Sequence, residues 1–209
     1  GHLDELSDDA RAIGAVNTVV FRDSRRIGHN TDCSGFAMSL RTGLPDAPRG
    51  RVVQLGAGGA GAAVAHAALG EGVQCLVLSD PDARKAEALS TALCVRFGAG
   101  RSVVARDLAS EMARAEGLIH ATPTGMAKHP GLPLPAALLR PSLWVAEIVY
   151  FPIETELLRV ARQLGCRTVD GSGMAVYQAV YAFGLFTGVV ADASLMRRDF
   201  DQLLMQSRR

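Results

Sequence analysis

Lysine is scarce in this chain: of 22 basic residues only Lys85 and Lys128 are lysines, and the rest are arginine. Basic and acidic residues nearly cancel, 22 against 21, for a formal net charge of +1. That balance gives no bulk field for a nucleic acid or an anionic membrane, so neither partner is expected. The short basic pairs Arg25-Arg26, Arg197-Arg198 and Arg208-Arg209 read as solvated surface. Cysteine is also sparse. Cys33, Cys75, Cys94 and Cys166 stand far apart with no C-x-x-C spacing, which argues against a disulfide framework and for a reducing, cytoplasmic setting. Cys75 and Cys94 fall in apolar patterns and read as small buried hydrophobes. His2, His29, His66, His120 and His129 lack ligand spacing, so no metal is expected. No apolar run is long enough to cross a membrane, and the N-terminus lacks a signal-peptide pattern, although Gly1-His2 resembles a cloning remnant.

What the chain has in quantity is small and apolar. Hydrophobic residues make up 48% of the 209 and charged ones 21%, ordinary for a globular domain with one good core. Residues 50–80, GRVVQLGAGGAGAAVAHAALGEGVQCLVLSD, place a glycine-rich turn between an apolar strand and an alanine-rich helix. Gly56, Gly58 and Gly61 have the spacing G-x-G-x-x-G, with Ala57, Gly59 and Ala60 between them. Gly56 permits a tight turn, Gly58 lets backbone approach a pyrophosphate, and Gly61 lets helix and strand pack closely. The helix N-terminus then offers N–H groups and a positive dipole end to phosphate. Asp80, 24 residues beyond Gly56, ends the next strand where a carboxylate can accept from an adenosine ribose. The residues alone leave another reading open, with Ser79-Asp80-Pro81-Asp82 as an ordinary helix start.

From residue 50 strand and helix patterns alternate, which predicts an α/β fold: a Rossmann-like doubly wound parallel sheet with helices on both faces. Strands are expected near 51–55, 73–78, 102–105, 117–121, 143–148 and 167–169, and helices near 59–70, 82–97, 107–115 and 153–164. The proline-rich stretch Gly125–Arg140 is expected to be loop with at most one helical turn. Upstream, Asn17–Phe21 and Arg26–Gly28 read as a hairpin turning through Arg22-Asp23-Ser24-Arg25, and Asp32–Thr42 as a helix. Downstream, 173–187 and 193–205 read as helices. The division expected is 1–35 as the remnant of a substrate-binding domain, 36–170 as the dinucleotide domain, and 171–209 as helices returning to the first.

Three further stretches join polar groups to glycine: Ala15-Val16-Asn17-Thr18, Asn30-Thr31-Asp32-Cys33-Ser34-Gly35-Phe36, and Asp170-Gly171-Ser172-Gly173-Met174 with Gln178 beyond. Singly, each has a plain structural explanation. Asn17 can satisfy a strand start, Asp32 can cap a helix, and Gly171 and Gly173 can form a turn that Ser172 closes.

Together, with LGAGGAG at 55–61, ATPTGM at 121–126 and IVYFP at 148–152, they resemble the shikimate and quinate dehydrogenases over almost the whole chain. The resemblance implies an oxidoreductase of the shikimate pathway that passes hydride from a ring hydroxyl of shikimate or quinate to NAD or NADP. It implies that Asn17 and Asp32 bind ring hydroxyls and that Asp32 also orients a catalytic lysine. Gln178 would reach the same substrate and Tyr150 would line its cleft. Gly171, Met174 and Val149 would border the nicotinamide, with Thr122 and Pro123 along the cofactor. Neither Lys85 nor Lys128 matches the family's lysine position, so the chain as given is expected to bind cofactor without efficient turnover. A non-catalytic module binding NAD or a ring acid stays open as the alternative. Glu147 departs from the aspartate usual before IVY. Asp80, where NADP-using relatives carry an arginine-bearing sequence, favours NAD over NADP, with Arg84 one turn later as a possible softener. A homodimer is possible.

Overall fold

In the computed structural model, which describes residues 2–206, two sheets form. Gly1 and the Arg208-Arg209 pair lie outside the described residues. The smaller sheet holds β1 (Glu5–Leu6), β2 (Thr18–Arg22) and β3 (Arg25–His29) in the order β1-β3-β2. β2 and β3 make the expected hairpin, and its turn residues Asp23 and Ser24 have φ of 49° and 61°. Positive φ at both central positions matches the right-handed twist of the flanking strands. Between β1 and β2 lies α1 (Asp8–Ile13), an element not anticipated. Its signals were short but present: Ser7 caps the N-terminus by accepting from the Ala10 N–H, and Gly14 closes the helix at φ 73°.

The larger sheet carries β4 (Arg51–Leu55), β5 (Cys75–Ser79), β6 (Ser102–Val104), β7 (Gly117–His120), β8 (Trp144–Glu147) and β9 (Arg167–Val169), all parallel, in the order β6-β5-β4-β7-β8-β9. The order reverses between β4 and β7, the doubly wound arrangement in which ligands bind above the carboxyl ends at the reversal. Both faces are buried, and alternate side chains feed two separate cores. Val52, Leu76, Leu78, Ile119 and Ala146 join one core, and Val53, Val77, Leu118 and Val145 the other. The first core is covered by α2 (Thr31–Gly43), α3 (Gly59–Gly70) and α4 (Ala83–Phe97), the second by α5 (Leu108–Arg114) and α6 (Glu156–Gln163). The proline-rich loop contains one 3-10 turn, Ala136–Leu138.

The last helices are α7 (Gly171–Thr187) and α8 (Ala193–Gln206). α7 begins two residues earlier than expected because Asp170, not Ser172, caps it, accepting from the Ser172 N–H. Gly171 and Gly173 are therefore helical residues whose smallness serves packing. A Cβ at Gly171 would lie 2.4 Å from the Val149 carbonyl oxygen, and one at Gly173 would lie 2.3 Å from Ser39 Oγ. Cys75 and Cys94 are half-buried, each beside a polar group, rather than fully enclosed. No helix among the described residues is long and apolar enough to cross a membrane.

Candidate active site

The turn after β4 is pressed against the start of the loop after β7. Gly56 has φ 101°, and a Cβ there would sit 2.3 Å from the Ala121 carbonyl oxygen. Only glycine meets both demands. Gly61 is equally confined, its virtual Cβ lying 2.4 Å from the Gly56 carbonyl oxygen. Gly58 differs: nothing lies within 4 Å of its virtual Cβ, so the space above it is open. Gly58 also caps α3 with no side-chain hydrogen bond, and Gly58, Gly59 and Ala60 are exposed. The start of α3, from Gly58 to Ala60, is thus exposed, as a phosphate site requires.

Two polar side chains hold this turn. Gln54 is fully buried in β4, and its Nε2 donates to the carbonyls of Gly56 and Gly61, both at 2.8 Å. Asp80 accepts from the Ala57 N–H at 2.7 Å and from the Asp82 N–H at 2.9 Å. The helix-start reading of this segment belongs to Asp82, which caps α4. Gln54 was missed from the sequence, although a lone amide within an apolar strand was its signal.

Three adjoining cavities share walls and make one trough along the carboxyl edge. The first, of 690 Å³, lies between Gly56, Gly58, Asp80, Lys85 and Thr122. The second, also of 690 Å³, shares Thr122 and Pro123 and adds Met126, Lys128, Val149 and Tyr150. The third, of 310 Å³, shares Ala60, Ile148 and Tyr150 and is lined further by Asn17, Asp32, Met174 and Gln178. Gly171 lies beneath this wall, buried against the Ile148 and Val149 carbonyls. Arg84 is not brought to the trough. Its side chain is 91% exposed and pairs with Asp82, while Lys85, the next residue on the helix and also exposed, lines the first cavity. Neighbouring helical residues point about 100° apart, which separates the two cations.

The third cavity draws its polar groups from three elements. Asn30 caps α2, accepting from the Cys33 N–H, which frees Asp32 from the capping role. Asn17, at the head of β2, accepts from the Thr31 N–H at 2.9 Å and donates from Nδ2 to Thr31 Oγ1 at 3.1 Å. Thr31 Oγ1 in turn donates to Gln178 Oε1 at 3.3 Å. Thr31 is a buried connector that sequence reasoning passed over inside the Asn-Thr-Asp stretch. Burial pushes the Asp32 carboxyl above its ordinary pKa of 3.8, and a hydrogen bond with Asn17 opposes the shift. Among the described residues no cluster of three His, Cys, Asp or Glu side chains forms a metal cage.

Comparison with known proteins bears on this geometry. Residues 171–198 match the family described as Shikimate 5'-dehydrogenase C-terminal domain. The chain is 59% identical over 204 residues to the shikimate dehydrogenase (NADP(+)) of Streptomyces avermitilis, covering 97% of this chain and 70% of that protein. The chain belongs to the shikimate dehydrogenase family. It is 49% identical over 201 residues to the quinate/shikimate dehydrogenase (NAD(+)) of Corynebacterium efficiens, across 95% of this chain and 71% of that one. The fold is that of the quinate dehydrogenase from Corynebacterium glutamicum solved in complex with NAD. There the TM-score is 0.90 at 47% identity, covering 96% of this chain and 72% of the other. The Rossmann-like sheet and the assignment to NAD(P)-using oxidoreductases acting on shikimate or quinate are thereby shown.

Proposed function

We propose that the trough holds a nicotinamide dinucleotide from Asp80 to Tyr150, and a cyclohexane-ring hydroxy acid, shikimate or quinate, in the 310 Å³ cavity at its end. The observation that carries this reading is the continuity of the trough: the cavity at the open Gly58 turn meets the next through Thr122 and Pro123, and that one meets the Asn17–Asp32–Gln178 cavity through Ala60 and Tyr150. The chain's residues fit the cofactor, since Gly58 leaves its backbone bare and Asp80 stands at the end of β5. When bound, the nicotinamide supplies the hydride acceptor.

The protein's own part is binding, orientation and proton control. Asn17 and Gln178 are fixed relative to each other through Thr31, so both amides arrive preorganised for ring hydroxyls. Asp32, half-buried beside them, accepts from the hydroxyl whose carbon is oxidised and keeps that oxygen aligned. Lys85 and Lys128 line the dinucleotide portion and not the Asp32 cavity. Asp32 serves as a binding and orienting group at that hydroxyl. Asp80 accepts ribose hydroxyls and repels a 2′-phosphate, which favours NAD; Lys85 moderates that preference.

Titrating the protein with NAD+ and then with shikimate or quinate, while following the reduced-nicotinamide absorbance, tests the reading. Binding of both ligands, each weakened by its own set of substitutions (Asp80 for NAD+, Asp32 and Gln178 for the acid), is expected. Ring-acid binding that is indifferent to Asp32→Ala and Gln178→Ala would contradict it.

A further inference from the structure

Behind the trough wall lies a buried polar pair that the proposed chemistry does not use. His120 and Glu147 end the adjacent strands β7 and β8 as direct register partners, and both side chains are 0% exposed. Glu147 collects three donors. His120 Nδ1 lies 2.9 Å from each of its oxygens, the Val149 N–H donates at 2.9 Å, and Thr155 Oγ1 donates at 3.1 Å. With the carboxylate accepting from Val149 and Thr155, an acceptor faces Nδ1, the arrangement that suits the ring tautomer carrying its hydrogen on Nδ1. The other ring nitrogen, Nε2, stands 2.5 Å from Thr122 Oγ1. In the neutral tautomer it accepts the threonine's single hydrogen. The Thr124 N–H donates to the same oxygen at 3.3 Å. The lone pair left on Thr122 Oγ1 is on a residue that lines both large cavities of the trough.

We propose that His120 and Glu147 are positioning residues for the cofactor, setting the Thr122 hydroxyl as a hydrogen-bond acceptor for a hydroxyl or amide donor on the nicotinamide-ribose half of the dinucleotide. The inference rests on the dinucleotide reading of the trough. The same carboxylate also ties Val149, a wall residue of the trough, to Thr155, which caps α6 by accepting from the Leu158 N–H. One buried carboxyl group thus joins three segments beside the trough. Without it, Thr122 would rotate among staggered positions and offer a donor as readily as an acceptor.

NADH fluorescence titration, with a thermal melt for each variant, decides the matter. Thr122→Val is expected to raise the NADH Kd about tenfold, the worth of one hydrogen bond, while Thr122→Ser keeps the parent affinity. Glu147→Gln is expected to weaken binding to a similar extent, and the double variant to bind no worse than the weaker single, because both remove the same interaction. Thr122 lies outside the buried pair, so its two variants carry the test if Glu147→Gln does not fold. Parent-like binding by Thr122→Val, or losses that add in the double variant, would overturn the positioning role. A lowered Tm for Glu147→Gln with unchanged Kd would also overturn it, because it marks a purely structural pair. Failure of the parent chain to bind NADH would instead overturn the dinucleotide reading, and the inference with it.

Discussion

A Cβ placed on Gly35 would lie 2.8 Å from the backbone nitrogen of Gln178. This contact lets α2 and α7 approach closely enough for Gln178 to meet Thr31, and so reach the cavity that Asp32 lines. Backbone cannot swing aside as a side chain can, so Gly35→Ala should force the helices apart. The expected cost is about 1–3 kcal/mol of stability from overpacking, read as a lowered denaturant midpoint. Ring-acid affinity should fall as well, while NADH affinity changes less because Gly35 lines none of the trough's cavities.

The three glycines of the turn separate into two kinds. Gly61→Ala should destabilise by roughly 1–3 kcal/mol, since its Cβ would press on the Gly56 carbonyl. Gly58→Ala should leave the melting temperature near that of the parent, because the space there is open, yet weaken NADH binding by about tenfold as the methyl meets the phosphates. Parallel thermal melts and NADH titrations of the two variants check the contrast.

Cofactor choice should be adjustable at the first cavity. Asp80→Asn removes the charge that repels a 2′-phosphate and leaves Lys85 on the same wall. The NADPH-to-NADH affinity ratio should rise by about tenfold, and adding Lys85→Ala should cancel most of the gain. Arg84→Ala should do little, because that side chain points to solvent.

Acid sensitivity should trace in part to His66 on α3. Burial is the main cause holding its pKa below the ordinary 6.5, Ala62 and Ala12 carbonyls partly opposing it, with Arg96 and Asp9 nearby. A depressed value means that the unfolded chain binds more protons as pH falls below about 6.5, so stability is complete above that pH and lost beneath it. Melting temperatures measured from about pH 7 to about pH 5 should decline, and His66→Gln should flatten part of the slope.

Much of this architecture was written in local pattern. The strands of the larger sheet alternate into two cores, and the apolar run Val52-Val53 ahead of Gly56 marked the first of them. Asn17, Asp32 and Gln178 had plain local explanations one by one and were singled out only by the family resemblance of their stretches taken together; they do meet around one cavity. What stayed hidden depends on direction and distance in three dimensions. Whether Arg84 or Lys85 faces the trough is a matter of helix phase, fixed by how α4 seats Ala86, Leu89 and Leu93 on the sheet. The tie from Gln54 to two glycine carbonyls and the cross-strand meeting of His120 with Glu147 need the strand register, which no single segment contains. Helix α1 was too short for its periodicity to stand out.

The most direct measurement is a crystal structure of the chain soaked with NAD+ and shikimate. The pyrophosphate should lie over Gly58, an adenosine ribose at Asp80, and the ring acid among Asn17, Asp32 and Gln178. A dinucleotide bound away from the Gly58 turn, or a ring acid that leaves those three side chains untouched, would contradict it.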